Sequence, residues 1–263
     1  MGSATREALA SAREALTALG GKDGLAVGEQ LFEVVRVIGD SSQLRSALAD
    51  PSVAAADKLA VVNKVFATIG APARTLLAEI VASRWSTQDD LLEGIEEIGI
   101  RAVASSAKPG GIEDELFTFG TAVGSNAELE LAVGSKLGST QSKSALVNAL
   151  LKHKASPQAL AIVDQLVQQP RGRRIGELMR HAASIVADQA GLAIATIITA
   201  APLTAAQLDR LRAGLAKSYG RDLKLNEVID PSIIGGIRVQ IGDDVIDGSV
   251  STKITELRLQ LAS

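Results

Sequence analysis

Apolar residues recur at helical spacing through the first 190 positions. Leu9, Ala12, Leu16 and Leu19 fall on one face, and Gly20 with Gly21 supplies a stop. Leu31, Val34, Val35 and Ile38 stand at i, i+3, i+4 and i+7 and predict a second amphipathic helix. A shift of 85 residues finds Leu116, Phe119, Gly120 and Val123 in the same places. The same ungapped shift pairs Leu31-Phe32 with Leu116-Phe117, Leu44 with Leu129, Lys58 with Lys143, Val62-Asn63 with Val147-Asn148, and Pro72 with Pro157. This is the pattern of an internal duplication. Each copy reads as about five short helices broken by turns, with Ser156 as N-cap and Pro157 at the first helical position of one of them. A helix through Leu91, Ile95, Ile98 and Ala102 aligns within a residue with the N-terminal helix, and is placed to close the first bundle and open the second. Two copies are too few for an open solenoid with separate caps, so two packed bundles are expected. The hinge between them is SSAKPGG, Ser105 to Gly111.

After Gly191 the period changes from 3.6 to 2. LAIATIIT predicts a strand, and Thr204 with Gln207 forms a capping box, flanked by Leu203 and Leu208 as a hydrophobic staple. Leu208, Leu211 and Leu215 supply that helix with a buried face, Gly220 its C-terminal cap, and DLKLNEVI the next strand. Ile237, Val239 and Ile241 alternate with Arg238 and Gln240, and Gly242-Asp243 suits a two-residue hairpin turn. Val250, Ile254, Leu257 and Leu261 form one apolar helical stripe. The expected fold is therefore mainly α with a small α/β C-terminal domain: a helical bundle over 1–105, its second copy over 106–190, and a strand-helix-strand-hairpin-helix domain over 191–263.

Charge and composition narrow the chemistry. Net charge is -3, both signs are interspersed, and aromatic residues make up 2%. No broad basic face or stacking platform for nucleic acid follows. There is no cysteine, hence no disulfide, thiol nucleophile or thiolate metal site. Arg6, Glu7, Arg13 and Glu14 interrupt any signal-peptide apolar region, and AGLAIATIITAA is far shorter than the roughly 20 residues a spanning helix needs. Gly20-Gly21-Lys22 lacks the earlier glycine and the following hydroxyl of a phosphate-binding loop. His153 and His181 lie 28 apart with no acidic partner in a motif. Asp243, Asp244 and Asp247 could be pictured as ligands of a hard cation, but neighbouring strand residues point to opposite faces, and turns favour aspartate anyway. Arg171, Arg173 and Arg174 stand alone as a basic cluster and read as a solvated loop, while Trp85 reads as a packing anchor in the corresponding loop of the first copy.

Ile234-Gly235-Gly236-Ile237-Arg238-Val239, then Gly242-Asp243, then Val245-Ile246-Asp247-Gly248-Ser249-Val250 resembles the C-terminal signature of the delta subunits of F-type ATP synthases, the family of the mitochondrial oligomycin-sensitivity-conferring protein. Its fixed residues here are Gly235, Gly236, Gly242, Asp243, Asp247, Gly248 and Ser249, with a structural role. The usual member has one helical bundle. Two copies match the long actinobacterial form, and the resemblance then covers nearly the whole chain. It implies a stator component without catalysis, cofactor or metal. Its helical region would receive the N-terminal helix of an alpha subunit and its C-terminal domain would meet the b subunit, on the cytoplasmic face of the cell membrane and peripheral to it. A helical-repeat adaptor of another assembly, or an enzyme with a metabolite in the small domain, are the alternatives.

Overall fold

Short amphipathic segments separated by glycine, proline and serine turns build the first part of the molecule. A computed structural model describes residues 2–21, 23–108, 110–134, 138–231, 233–241 and 244–248. Six helices come first: α1 (Ser3–Ala18), α2 (Gly24–Asp40), α3 (Ser42–Ala49), α4 (Ala55–Val65), α5 (Ala71–Ala82) and α6 (Gln88–Ser105). Five follow: α7 (Ile112–Gly124), α8 (Ala127–Gly134), α9 (Thr140–Leu151), α10 (Pro157–Gln168) and α11 (Ile175–Gln189). Adding 85 to the bounds of α3 gives those of α8, and the starts of α4 and α1 fall on the starts of α9 and α6. The sequence repeat is thus a repeat of helices in order, with α6 equivalent to α1.

The two copies share α6. An ordinary surface helix buries one stripe, as α1 does with Thr5, Ala8, Leu9, Ala12 and Leu16. Helix α6 is buried on every side from Gly94 to Val103. Leu91, Ile95, Ile98 and Ala102 enter the first copy's core beside Leu31, Val35, Leu77 and Ile80. Glycine permits the close approach of α2. A Cβ on Gly99 would stand 2.6 Å from the Phe32 ring, and one on Gly28 would stand 2.6 Å from the Gly99 carbonyl oxygen. The second copy makes its own close crossing elsewhere: a Cβ on Gly120 of α7 would lie 2.9 Å from the Met179 Cβ of α11.

By its internal contacts the chain divides into two compact units, Met1–Val186 and Ala187–Ser263, with α11 running across the boundary. Among its described residues the second unit holds a four-stranded mixed sheet and the helix α12 (Ala205–Tyr219). Its elements are β1 (Ala193–Thr199), α12 (Ala205–Tyr219), β2 (Leu223–Ile229), β3 (Ile237–Ile241) and β4 (Asp244–Asp247), in sheet order β2-β1-β3-β4. β2 lies parallel to β1, and the β3–β4 hairpin is antiparallel. Alternation along β1 buries Ala193, Ala195, Ile197 and Thr199. The capping box at Thr204 and Gln207 forms, and Gly220 closes α12 at φ 69°. Of the apolar face expected on α12, Leu215 is buried in the core and Leu211 packs against it, while Leu208, in the first turn, is half-buried. The apolar stripe from Val250 to Leu261 lies outside the described residues.

Candidate interaction surfaces

The hairpin signature is placed in part. Gly235 and Gly236 sit at φ 112° and 85°, conformations that disfavour any side chain, and they turn the backbone into β3. Ile241 and Asp244 are paired across β3 and β4, so Gly242 and Asp243 are the two residues between the strands; both lie outside the described residues, as does Ser249. Asp247 is opposite Arg238, and the Gly248 N–H donates to the Ile237 carbonyl at 2.9 Å, where an added Cβ would approach to 3.2 Å. Asp244 accepts from the Tyr219 hydroxyl at 3.5 Å. These residues shape the strand pair. Val245 and Ile246 are 47% exposed and Ile234 is 80% exposed.

In the first unit the two copies repeat a clasp as well as a helix order. The Gln30 side chain on α2 accepts from the Gly70 N–H at the start of α5, at 2.9 Å. Eighty-five residues on, Glu115 on α7 accepts from the Ser156 N–H and hydroxyl at the start of α10. Each tethers a helix N-terminus whose N–H groups have no partner within the helix. Ser41 and Asn126 cap α3 and α8 by accepting from Leu44 and Leu129, again 85 apart. Lys58 and Lys143 are both buried, and burial depresses the pKa of each; Asp50 partly offsets this for Lys58.

Open cavities also recur. One of about 680 Å³ lies between α3 and the loop into α6, against Ser46, Ala49, Arg84, Trp85 and Gln88. Its counterpart in the second copy, about 370 Å³, is bounded by Leu131, Gly134, Arg173, Arg174 and Ile175. Leu131, in the place of Ser46, is 70% exposed. A cleft of about 400 Å³ between α2 and α10 is lined by Glu29, Glu33, Arg36 and Asp164.

Trp85 is the packing anchor expected of it: it is 4% exposed, donates from Nε1 to the Ile80 carbonyl at 2.7 Å, and lays its ring where Gly94 leaves room. The arginine loop departs from the expectation of a solvated segment. Only Arg174 is exposed, whereas Arg171 and Arg173 are half-buried and pair with Glu96 on α6, because α6 presents a carboxylate inside the bundle that needs a counter-charge. Glu97 is answered from the other side by Arg13 at 2.6 Å and by Arg101 at 2.8 Å. Glu96 and Glu97 belong to no motif in the sequence. Their signal was present as two acids on a helix whose neighbours are apolar on both flanks. His153 and His181 are exposed, and among the described residues no group of three or more metal-ligating side chains is gathered.

A family model described as "ATP synthase delta (OSCP) subunit" matches residues 100–261, well over half of the chain. The chain belongs to that family. It is accordingly a non-catalytic subunit of the F-type ATP synthase, on the stator side of the complex. The match begins inside α6, so the family's usual unit corresponds to the second copy with the sheet domain, and the first copy is the addition. Long relatives carry the addition too. "ATP synthase subunit delta" of Leifsonia xyli subsp. xyli is 56% identical over 263 residues, covering all of both chains. The same-named proteins of Thermobifida fusca, 38% identical over 90% of each chain, and Streptomyces griseus subsp. griseus, 36% identical over all of both, are similar throughout. Among the described residues no helix is long and apolar enough to cross a membrane.

Proposed function

We propose that this chain ties the catalytic head of the ATP synthase to its peripheral stalk: the helical region receives the N-terminal helix of an alpha subunit, and the C-terminal domain binds the end of the b subunit. The division into a helical unit and a separate sheet unit carries the reading, since one chain with two independently built surfaces suits a tether between two partners. Bundles of amphipathic helices receive a further amphipathic helix in the grooves between them. The functional segments are the two helical copies, 1–105 and 106–190, and the stalk-binding domain, 191–263. Within the latter, Gly235, Gly236, Gly242, Asp243, Asp247, Gly248 and Ser249 hold the hairpin in shape rather than touch a partner. The assembled protein sits on the cytoplasmic face of the cell membrane, peripheral to it.

Removing residues 191–263 tests the division of labour. Binding of b should be lost and binding of alpha retained, as read by co-purification; loss of both, or of neither, refutes it. The repeat adds a second expectation, that each copy offers a groove. Two modest sites on one chain raise overall avidity by about 100-fold or more, because the second docking is intramolecular. A peptide of the alpha N-terminus titrated calorimetrically into the whole chain should then show two sites, and one site unaffected by deletion of the first copy would leave that copy a spacer.

A further inference from the structure

The loop between α10 and α11 carries the arginine cluster seen in the sequence, and its ion pairs lie inside the helical unit. Its backbone is unusual: Arg171 stands at φ 48° and Gly172 at φ 80°, both left-handed. That turn brings two arginines to the same acid. Arg173 reaches Glu96 Oε1 at 3.0 Å and Glu93 Oε1 at 4.0 Å, and Arg171 pairs with the same Glu96 oxygen. The Glu96 side chain is 5% exposed. The segment before the loop lies against the first copy, with Arg36 donating to Gln165 at 2.6 Å and Gln169 packed against Gly39. Directly after it, Ile175 is buried and α11 begins, the helix that continues over the boundary into the second unit.

We propose that residues 169–174 and Glu96 form a latch that seats the start of α11 on the shared helix α6. Closed, it holds the first turns of α11 against α6. Open, it frees the first turns of α11 while the first copy stays folded. The contact is of a releasable kind, since it is ionic and incompletely bonded: Glu96 Oε2 and the Nε atoms of Arg171 and Arg173 are buried without a hydrogen-bond partner among the described residues. Such groups recover solvation when they part, which an apolar contact does not. The latch is independent of which partners the chain binds, so its test needs only the purified protein.

Amide hydrogen exchange of the full chain decides it. In Arg171→Ala/Arg173→Ala, exchange over residues 175–182 should rise by about tenfold or more while α1–α5 stay within about twofold of the parent, because local openings are read separately from global ones. That variant leaves Glu96 buried and uncompensated, so Glu96→Leu/Arg171→Ala/Arg173→Ala is measured beside it, with the charge removed as well as the latch. The triple variant should show the same fast α11 start over an intact α6. Arg171→Lys/Arg173→Lys should recover most of the protection, since the charge returns without the paired geometry. Unchanged exchange at 175–182 in the triple variant, or an increase spread evenly over α1–α6, overturns the latch.

Discussion

The loop that enters α6 is held by an indole, and its counterpart entering α11 is held by two guanidiniums. Trp85 fills a place that Gly94 vacates and satisfies its single N–H on the backbone, so nothing at that contact gains by meeting water. Arg171 and Arg173 instead meet an acid that the shared helix buries between the copies, and part of their hydrogen-bonding capacity is unfilled. Equivalent positions of a duplicated chain have thus been given contacts with different responses to solvent. The reason lies in the neighbours. The first loop covers the outer end of a core, whereas the second lies on a seam, where α6 must serve two copies at once. Duplication repeats the sequence pattern but cannot repeat the surroundings of the helix it shares.

The sharpest way to break the comparison is Trp85→Ala. Loss of a fully packed indole should destabilise the first copy by about 3–5 kcal/mol, seen in urea denaturation followed by circular dichroism. A cost below about 1 kcal/mol would mean the loop is not anchored by packing. Glu96→Gln keeps the shape and removes the charge that both arginines face; about 1.5–3 kcal/mol is expected, with the loss concentrated in the second copy by hydrogen exchange. If the first copy suffers equally, the seam is not where that acid acts. The clasps should behave alike despite their different side chains: Gln30→Ala and Glu115→Ala each remove a tether of a helix start and should each cost about 1 kcal/mol, by the same denaturation assay.

The smallest effect concerns Lys58 and Lys143, which burial holds below the ordinary lysine value of 10.5. The folded state therefore releases these protons at lower pH than the unfolded chain does, and between the two values the unfolded chain binds more protons. Stability contributed by these groups rises with pH through that window and levels off above 10.5, while the cost of the buried charge is fully present at lower pH. Lys58→Met/Lys143→Met should flatten the alkaline part of the stability profile relative to the parent. Parallel profiles for parent and variant would show that the two ammonium groups reach solvent.

Helix order, the caps at Ser156 and Thr204, and the alternation along β1 and β3 were legible because each depends on residues a few positions apart. The turn into β3 was legible for the same reason, Gly235 and Gly236 standing at positive φ. The arginine loop was not. Whether a cluster of charges is solvated depends on what faces it, and Glu96 stands 75 residues before Arg171 in the chain. The repeat gave the one long-range clue available, since Gln30 and Glu115 occupy matching positions and make matching clasps.

The sequence by itself determined the helical period of α1, α2, α6 and α12, the alternation along β1 and β3, the 85-residue repeat and the point near Gly191 where helices give way to strands, because periodicity and capping are written in neighbouring side chains. Only the tertiary structure decided that α6 is covered on every side from Gly94 to Val103, that glycines 28 and 99 admit α2 against it, and that two arginines turn inward to its buried acid. Those outcomes depend on which surfaces meet. A helix that is apolar on several faces states that it will be covered, and the fold alone supplies what covers it.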